Sequence, residues 1–155
     1  MIKNKELTST FVFFEPGDLI DGDLELRLVQ TLQANESKNN VPQYKFHMFK
    51  TGTDNYMGFI GLRIVLNNRL EKYGGNMNYE VNEEFRGHSF ASRSCKLLFP
   101  LAKKHGLSKL LITCDPDNIA SKKTCASIGG KLIDTIYVEI EPGRFRDTCR
   151  YEIPI

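Results

Sequence analysis

The period of the hydrophobic pattern changes once along this chain, roughly midway. In the first half, residues 24–30 and 43–50 alternate apolar and polar side chains, and residues 57–66 form an apolar run with β-branched members. Such patterns predict strands, and the short connections rich in turn formers favour antiparallel neighbours. Residues 76–81 predict a further strand. From residue 90 to residue 105 apolar or small residues recur at helical spacing instead.

The second half predicts strands and helices in alternation. The apolar run 109–115 predicts a buried strand, and residues 119–128 predict a second helix ending at a pair of glycines. Residues 131–140 and 148–155 predict a final hairpin. A strand, helix and strand between residues 76 and 115 favour a locally parallel pair. The order predicts an α/β (α+β) fold with a mostly antiparallel sheet and flanking helices.

Three local features are less regular. The aromatic run 11–14 is either an additional strand or the first one, and the connection 31–42 has room for a short helical turn at most. Pro100 removes a backbone hydrogen bond inside the predicted long helix and should bend it. Lys103 and Lys104 in the last turn, followed by Gly106, predict the end of that helix.

The length of 155 residues predicts one domain, residues 1–155, with a genuine core. The formal charge of +2 is too small for a nucleic-acid-binding face. The cysteines form no C-x-x-C pair and have no close histidine, so we expect buried free thiols and no metal site. They are Cys95, Cys114, Cys125 and Cys149.

No segment of the sequence approaches the roughly 20 apolar residues that span a bilayer, and the first ten residues lack the apolar region of a signal peptide. We therefore expect no membrane partner. Reduced cysteines are usual in the cytosol, so a cytoplasmic location is expected.

Residues 83–92, EEFRGHSFAS, lie between the strand 76–81 and the long helix. The first turn of a helix carries unsatisfied N–H groups and the positive end of the helix dipole, which together can bind a phosphate. Small residues at positions 87, 89 and 91 let a ligand approach the backbone. Glycine and serine are also common helix caps, so this stretch alone is a weak indication of an anion site.

The stretch resembles motif A of the GNAT superfamily of acetyl-CoA-dependent N-acetyltransferases, R/Q-x-x-G-x-G/A. The matching positions are Arg86, Gly87, His88, Ser89, Phe90 and Ala91. The resemblance implies that the amides of this loop hold the pyrophosphate of acetyl-CoA. Ser89 stands where the family has its central glycine, so it must accept a tight backbone conformation or contribute its hydroxyl.

A second match lies at residues 115–132, which are similar to the family segment N-x-x-A/S followed by a helix ending in glycine. By this resemblance Asn118 binds the pantetheine arm and Ser121 lies near the cofactor. The alternatives are a helix cap for Asn118 and a solvated hydroxyl for Ser121. The segment from Tyr79 to Val81 is expected to offer a backbone N–H to the thioester oxygen.

Three side chains are candidates for proton transfer. Glu80 points away from Tyr79 and Val81 by strand alternation, so it either acts as a base through water or covers an exposed strand face. Cys125 occupies the position of the family's acidic tyrosine, although a cysteine on an apolar helical face is more often packing. Tyr137 is a possible substitute acid.

The resemblance covers roughly residues 56–155 and is closest to uncharacterised bacterial members. A typical member has two helices between its first and second strands, and these helices build part of the acceptor pocket. Here the acceptor site is expected to be reduced, or completed by residues 11–23 or by a second subunit in a homodimer. The acceptor implied is an amine of a small molecule or a peptide.

Two other functions remain open at this point. The chain could be a catalytically weak CoA-binding module with a regulatory or scaffold role, which Ser89 and Cys125 permit. It could also be a small β-rich interaction domain with an accidental motif match, which the poor fit of residues 1–55 permits. Acetyl-CoA binding and the release of free CoA distinguish these alternatives.

Overall fold

The computed structural model describes residues 10–155 as eight strands and three helices, with 3₁₀ turns at Glu36–Lys38 and Glu83–Phe85. The strands are β1 (Leu19–Asp21), β2 (Leu24–Leu32), β3 (Gln43–Lys50), β4 (Tyr56–Arg63), β5 (Met77–Val81), β6 (Lys109–Cys114), β7 (Lys131–Glu141) and β8 (Arg144–Pro154). The helices are α1 (Asn68–Lys72), α2 (Phe90–Lys104) and α3 (Ile119–Ser127).

The strands form two antiparallel sheets. The first has the order β1-β2-β3-β4-β5, and the second has the order β6-β8-β7. One hydrophobic cluster contains residues from both sheets, from α2 and from α3, including the fully buried Leu62, Leu98, Cys125 and Ile153. This arrangement confirms the predicted mixed fold with mostly antiparallel strands and flanking helices.

The two sheets meet at Asn76, immediately before β5. Its backbone N–H donates to Leu111 O at 2.7 Å, and its side-chain Oδ1 accepts from Leu111 N at 2.7 Å. Its Nδ2 donates to Arg63 O at 3.0 Å, and its own carbonyl accepts from Arg63 N. Because Asn76 is buried, each of these bonds satisfies a group that water cannot reach. Asn76 therefore joins β4, β5 and β6.

Gly75 makes this close approach possible. Its φ is +61°, and a Cβ atom there would lie 2.3 Å from Leu111 O. Only glycine fits such a position without strain. Beyond this junction no backbone pairing between β5 and β6 is found within residues 10–155, and a cleft opens between the strands. The parallel direction of this pair stays a prediction, because no ladder of hydrogen bonds fixes it.

Residues 11–14 are not a strand, so that interpretation was wrong. Phe11 N donates to Gln33 Oε1 and Phe14 N donates to Tyr44 Oη, so side chains take the place of a neighbouring strand. The Phe11 ring stacks on His105 at the end of α2. The aromatic pattern of this run therefore reflects packing on the core.

Other boundaries differ by small amounts. Strand β2 extends to Leu32, and the rest of the connection contains one short 3₁₀ turn, the helical turn that the sequence allowed at most. Strand β1 and helix α1 were not predicted. The last hairpin turns tightly at residues 142–143, so the turn region is shorter than expected. Helix α2 runs continuously past Pro100 and ends where predicted, with Gly106 at φ +85° and its N–H bonded to Lys103 O.

Candidate active site

A groove of about 540 Å³ lies between the end of β5, the loop before α2 and the start of α3. We call it the loop groove. Its lining includes every predicted cofactor-binding residue except His88, namely Tyr79, Val81, Arg86, Gly87, Ser89, Phe90, Ala91, Asn118 and Ser121. The fold thus brings together two sequence segments whose proximity could not be seen from local patterns.

The backbone of the loop turns through two left-handed residues. Gly87 has φ +90°, and Ser89, the N-cap of α2, has φ +59° and ψ +26°. The Ser89 side chain makes no capping hydrogen bond. Its carbonyl accepts from Arg93 N and from Ser92 Oγ, each at 3.0 Å. Ser89 therefore accepts the tight backbone conformation that the family's glycine would adopt, and the first residues of α2 line the open groove.

Arg86 ties this loop to β5. Its Nε donates to Val81 O at 3.0 Å, and its side chain is exposed at the rim of the loop groove. One nitrogen is used for this bond, and the remaining N–H groups of the guanidinium are left for an anion. The arginine therefore combines a structural role with a charge beside the helix N-terminus.

Arg93, in the first turn of α2, was not singled out from the sequence. It donates to Asp21 Oδ2 and to Asp23 Oδ1, each at 2.7 Å, and more weakly to His88 O at 3.5 Å. The hydrogen bond from Arg93 lowers the pKa of Asp23. Arg93 thus holds the loop against the turn between β1 and β2. The sequence held one indication of this contact. A cation in the first turn of a helix is unfavourable unless nearby acids compensate its charge, so an arginine there predicts acidic partners.

Asn118 is the N-cap of α3. Its Oδ1 accepts from Ser121 N at 3.0 Å, so the helix-cap alternative describes its observed contact. The cap uses only the oxygen of the amide. The NH₂ group makes no hydrogen bond to residues 10–155 and lies on an exposed residue that lines the loop groove. Capping and ligand binding are therefore compatible.

Tyr79 and Ser121 form a hydrogen-bonded pair across the groove, with 2.9 Å between Tyr79 Oη and Ser121 Oγ. Ser121 is buried, so its hydroxyl is not the solvated one considered from the sequence. Burial is the main reason that the pKa of Tyr79 is raised, so its phenol keeps its proton at neutral pH. The sequence indicated only the backbone of Tyr79 and missed this hydroxyl.

Cys125 is fully buried in the core and lines neither this groove nor the second cavity described below. Burial raises the pKa of its thiol to about 12. Such a thiol is a poorer acid than an ordinary cysteine. These contacts favour the packing alternative for Cys125.

A second cavity of about 320 Å³ opens in the cleft between β5 and β6, and we call it the cleft cavity. Tyr79, Asn118 and Ser121 line it as well as the loop groove. The other lining residues are Arg63, Tyr73, Gly74, Met77, Asn78, Thr113, Cys114 and Asp115. The Tyr79–Ser121 pair therefore lies between the two cavities, where a ligand in one cavity could contact a ligand in the other.

The sequence matches the family described as Acetyltransferase (GNAT) domain over residues 2–131. The chain belongs to the GNAT superfamily of acetyl-CoA-dependent N-acetyltransferases. This membership confirms the predicted family, and it places the chain among acyltransferases whose acyl donor is acetyl-CoA. A search of curated proteins found no match.

Solved structures share the GNAT fold at low identity. RimL, a ribosomal L7/L12 alpha-N-protein acetyltransferase, in complex with CoA is 16% identical with a TM-score of 0.67, covering 89% of this chain and 98% of that one. An apo form of RimL is 20% identical with a TM-score of 0.59, covering 73% of this chain and 61% of that one. The microcin C7 self-immunity acetyltransferase MccE, in complex with acetyl-CoA and AMP, is 19% identical with a TM-score of 0.59. The match covers 73% of this chain and 61% of that one. The chain thus spans 61% of the length of the apo RimL chain.

The remaining candidates of the GNAT site lie apart from the Tyr79–Ser121 pair. Glu80 is exposed on the opposite face of β5, at the rim of the loop groove beside Asn82 and Arg86. His88 is exposed and does not line the groove. Tyr137 on β7 is 70% exposed, stacks on Phe145, and lines neither cavity. The structure therefore does not bring Tyr137 to the cleft, and its role as an acid stays a prediction.

Within residues 10–155, no three side chains of histidine, cysteine, aspartate or glutamate converge on a potential metal position. All four cysteines are free and buried. No helix in the same part of the chain is long and apolar enough to cross a membrane.

Proposed function

We propose that this GNAT protein transfers the acetyl group of acetyl-CoA to an amine of a small molecule or a peptide. The observation that carries the proposal is the loop groove, where residues from two separate sequence motifs line one space at the N-terminus of α2. Helix N-termini with open N–H groups bind phosphates. The neighbours RimL and MccE, which share the fold, have structures with CoA or acetyl-CoA bound.

The loop groove suits each part of the cofactor. In this proposal the N–H groups of the loop and the rim guanidinium of Arg86 bind the pyrophosphate, and the NH₂ group of Asn118 donates to an amide carbonyl of the pantetheine arm. Asn82 N donates to Met57 O of β4. Because N–H directions alternate along a strand, the N–H groups of Tyr79 and Val81 face away from β4, toward the cleft. They are available to the thioester oxygen.

The chemistry follows from the position of the Tyr79 hydroxyl. The amine nitrogen attacks the thioester carbonyl, a C–N bond forms, the C–S bond breaks, and the sulfur takes the electron pair. Tyr79, unlike Cys125, lines both cavities, so its hydroxyl can hydrogen-bond the leaving sulfur and give up its proton as negative charge develops there. Glu80 at the rim accepts the proton of the amine through water. Cys125 and Tyr137 have no direct part in this scheme.

A catalytically weak CoA-binding module is the alternative function, since the groove alone supports cofactor binding. We further propose that residues 1–155 act as a single domain, and that four free thiols suit a reducing, cytoplasmic compartment. Exposed apolar side chains on β7, including Leu132 and Ile133, offer a surface for a second copy in a homodimer.

The test begins with calorimetric titration of acetyl-CoA. Arg86→Ala should weaken acetyl-CoA binding about tenfold, the scale of one charged hydrogen bond, and leave S-acetylpantetheine, which lacks the pyrophosphate, unaffected. Arg144→Ala, at an exposed arginine on the β7–β8 hairpin, is the control of equal charge. Equal losses for both ligands would mean that Arg86 acts only through Val81. Absence of acetyl-CoA binding to the unmodified protein would refute the proposal.

Turnover is measured as release of the free CoA thiol with a panel of amines. Amine-dependent release supports the enzyme. Tight acetyl-CoA binding with no amine-dependent release from any member of a broad panel supports the binding module instead.

A further inference from the structure

Arg63 lines the cleft cavity and has no acidic partner among residues 10–155. Its Nη1 donates to Gly74 O at 3.3 Å and to Gly75 O at 3.1 Å, which fixes the guanidinium at the cavity wall. None of the ion pairs among residues 10–155 includes Arg63. Its pKa is lowered by burial and by the nearby cation Arg69, which is the pattern expected where no carboxylate lies close. Because a half-buried charge is stabilised by pairing with an opposite charge, this cation is a candidate binding site for an anionic ligand.

The other polar groups of the cavity are mainly hydrogen-bond donors. Thr113 Oγ1 accepts from Gly74 N at 2.8 Å, so its own O–H remains free to donate. The Asn78 oxygen is buried against Gly61 and has no hydrogen-bond partner within residues 10–155, which leaves the NH₂ end of that amide for the cavity. Asp115, the one acid that the described part of the chain contributes to the lining, is paired with Arg146.

We infer that the cleft cavity holds the acceptor, and that the acceptor is a small amine carrying a carboxylate, which Arg63 binds. This inference rests on the proposed acetyl transfer, since the Tyr79–Ser121 pair links the cavity to the loop groove. A guanidinium matches the planar, two-oxygen geometry of a carboxylate. The volume of about 320 Å³ lies at the small end of ligand pockets and suits a molecule the size of an amino acid.

The experiment compares acceptors in matched pairs at saturating acetyl-CoA, with thiol release as the readout. β-Alanine is paired with β-alaninamide and 4-aminobutyrate with 4-aminobutyramide, so that the only carboxylate of the acceptor is present in one member of each pair and absent from the other. Glucosamine 6-phosphate and glucosamine form the phosphate arm. We expect kcat/KM to be at least tenfold higher for the carboxylate member of a pair. A preference confined to the phosphate arm, or equal turnover within the carboxylate pairs, would overturn the inference.

Substitutions at Arg63 and Arg69 test whether Arg63 causes the preference for carboxylate acceptors. Arg63→Gln keeps a donor for the Gly74 and Gly75 carbonyls and should remove the preference, mainly through a rise in KM for the acidic acceptor. Arg63→Lys keeps the positive charge and should retain part of the preference for the acidic acceptor. Arg69→Gln removes an equal, exposed charge outside the cavity and should leave the preference unchanged. A preference that survives Arg63→Gln, or that is lost equally in Arg69→Gln, would contradict the assignment.

Binding of products gives a second readout that needs no turnover. With CoA present, N-acetyl-β-alanine should raise the melting temperature of the protein, N-acetyl-β-alaninamide should not, and Arg63→Gln should abolish the difference. Identical shifts, or none for either compound, would sink the inference. If the protein fails to bind acetyl-CoA, the proposed function fails first. If it binds acetyl-CoA and acetylates neutral amines equally well, only the carboxylate assignment fails.

Discussion

Replacing Ser89 by glycine should stabilise the protein, because this residue has a left-handed backbone with a side chain that contributes no capping bond. The left-handed conformation costs an L-residue about 1–2 kcal/mol. Glycine removes that cost but adds about 0.5–1 kcal/mol of chain entropy to the unfolded state. The contacts of the Ser89 carbonyl with Ser92 and Arg93 are kept. The net gain in unfolding free energy should be about 0.5–1 kcal/mol.

Urea denaturation measures this change, with two substitutions as controls. Ser89→Ala keeps the Cβ atom and removes the hydroxyl, so its unfolding free energy should stay within about 0.5 kcal/mol of the unmodified protein. Ala91→Gly introduces glycine two residues later, inside α2, where φ is helical. It should destabilise the protein by up to about 1 kcal/mol. A loss of stability in Ser89→Gly would refute the argument from the left-handed conformation.

The same variants decide whether the Ser89 hydroxyl binds the cofactor. If only the loop amides hold the pyrophosphate, both Ser89→Gly and Ser89→Ala should bind acetyl-CoA within about threefold of the unmodified protein, since neither alters an amide. A tenfold loss in both variants would instead assign the hydroxyl to the cofactor and overturn the backbone interpretation.

Three further substitutions test the proton-transfer scheme. Tyr79→Phe should lower kcat about a hundredfold with little change in acetyl-CoA affinity, and because the pKa of Tyr79 is raised, kcat of the unmodified enzyme should not fall through Tyr79 ionisation near pH 10. Unchanged kcat in this variant would exclude the hydroxyl as the acid. Cys125→Ala should cost roughly 1 kcal/mol of stability and leave turnover within a few fold, whereas a hundredfold loss of turnover at full stability would make the thiol catalytic. Glu80→Gln should lower kcat about a hundredfold near neutral pH, with partial recovery at higher pH where more amine is neutral. Full activity near neutral pH would show that Glu80 only covers a strand face.

Local pattern was sufficient for most strands and for α2, because alternation and helical spacing depend only on near neighbours in sequence. Strand β3 begins and ends where the pattern predicted. The run 11–14 misled for a physical reason: aromatic side chains pack on a core equally well from a loop whose N–H groups are satisfied by other side chains. Helix α1, five residues long, is too short for periodicity to show.

The cofactor side of the site could be predicted because its residues lie in two short motifs, each beginning a helix. The acceptor side could not. The role inferred for Arg63 depends on the lack of a nearby acid among residues 10–155. The role of Arg93 depends on aspartates about 70 residues earlier in the sequence. Asn76 looks like an ordinary turn residue in sequence, yet its four hydrogen bonds join three strands. Such contacts depend on the folded chain as a whole.

The small side chain at position 125 and the phenol at position 79 are related, because the volume that one leaves free can be filled by the other. The family resemblance places an acidic tyrosine on α3 at position 125, where this chain has a fully buried cysteine. Tyr79 reaches the same region from β5, where its hydroxyl forms a hydrogen bond with Ser121 Oγ. A cysteine occupies far less volume than a tyrosine, so it leaves room for a ring that enters from the strand. A phenol can thus serve the same cleft from a different element of the fold, which a comparison of aligned positions alone would miss.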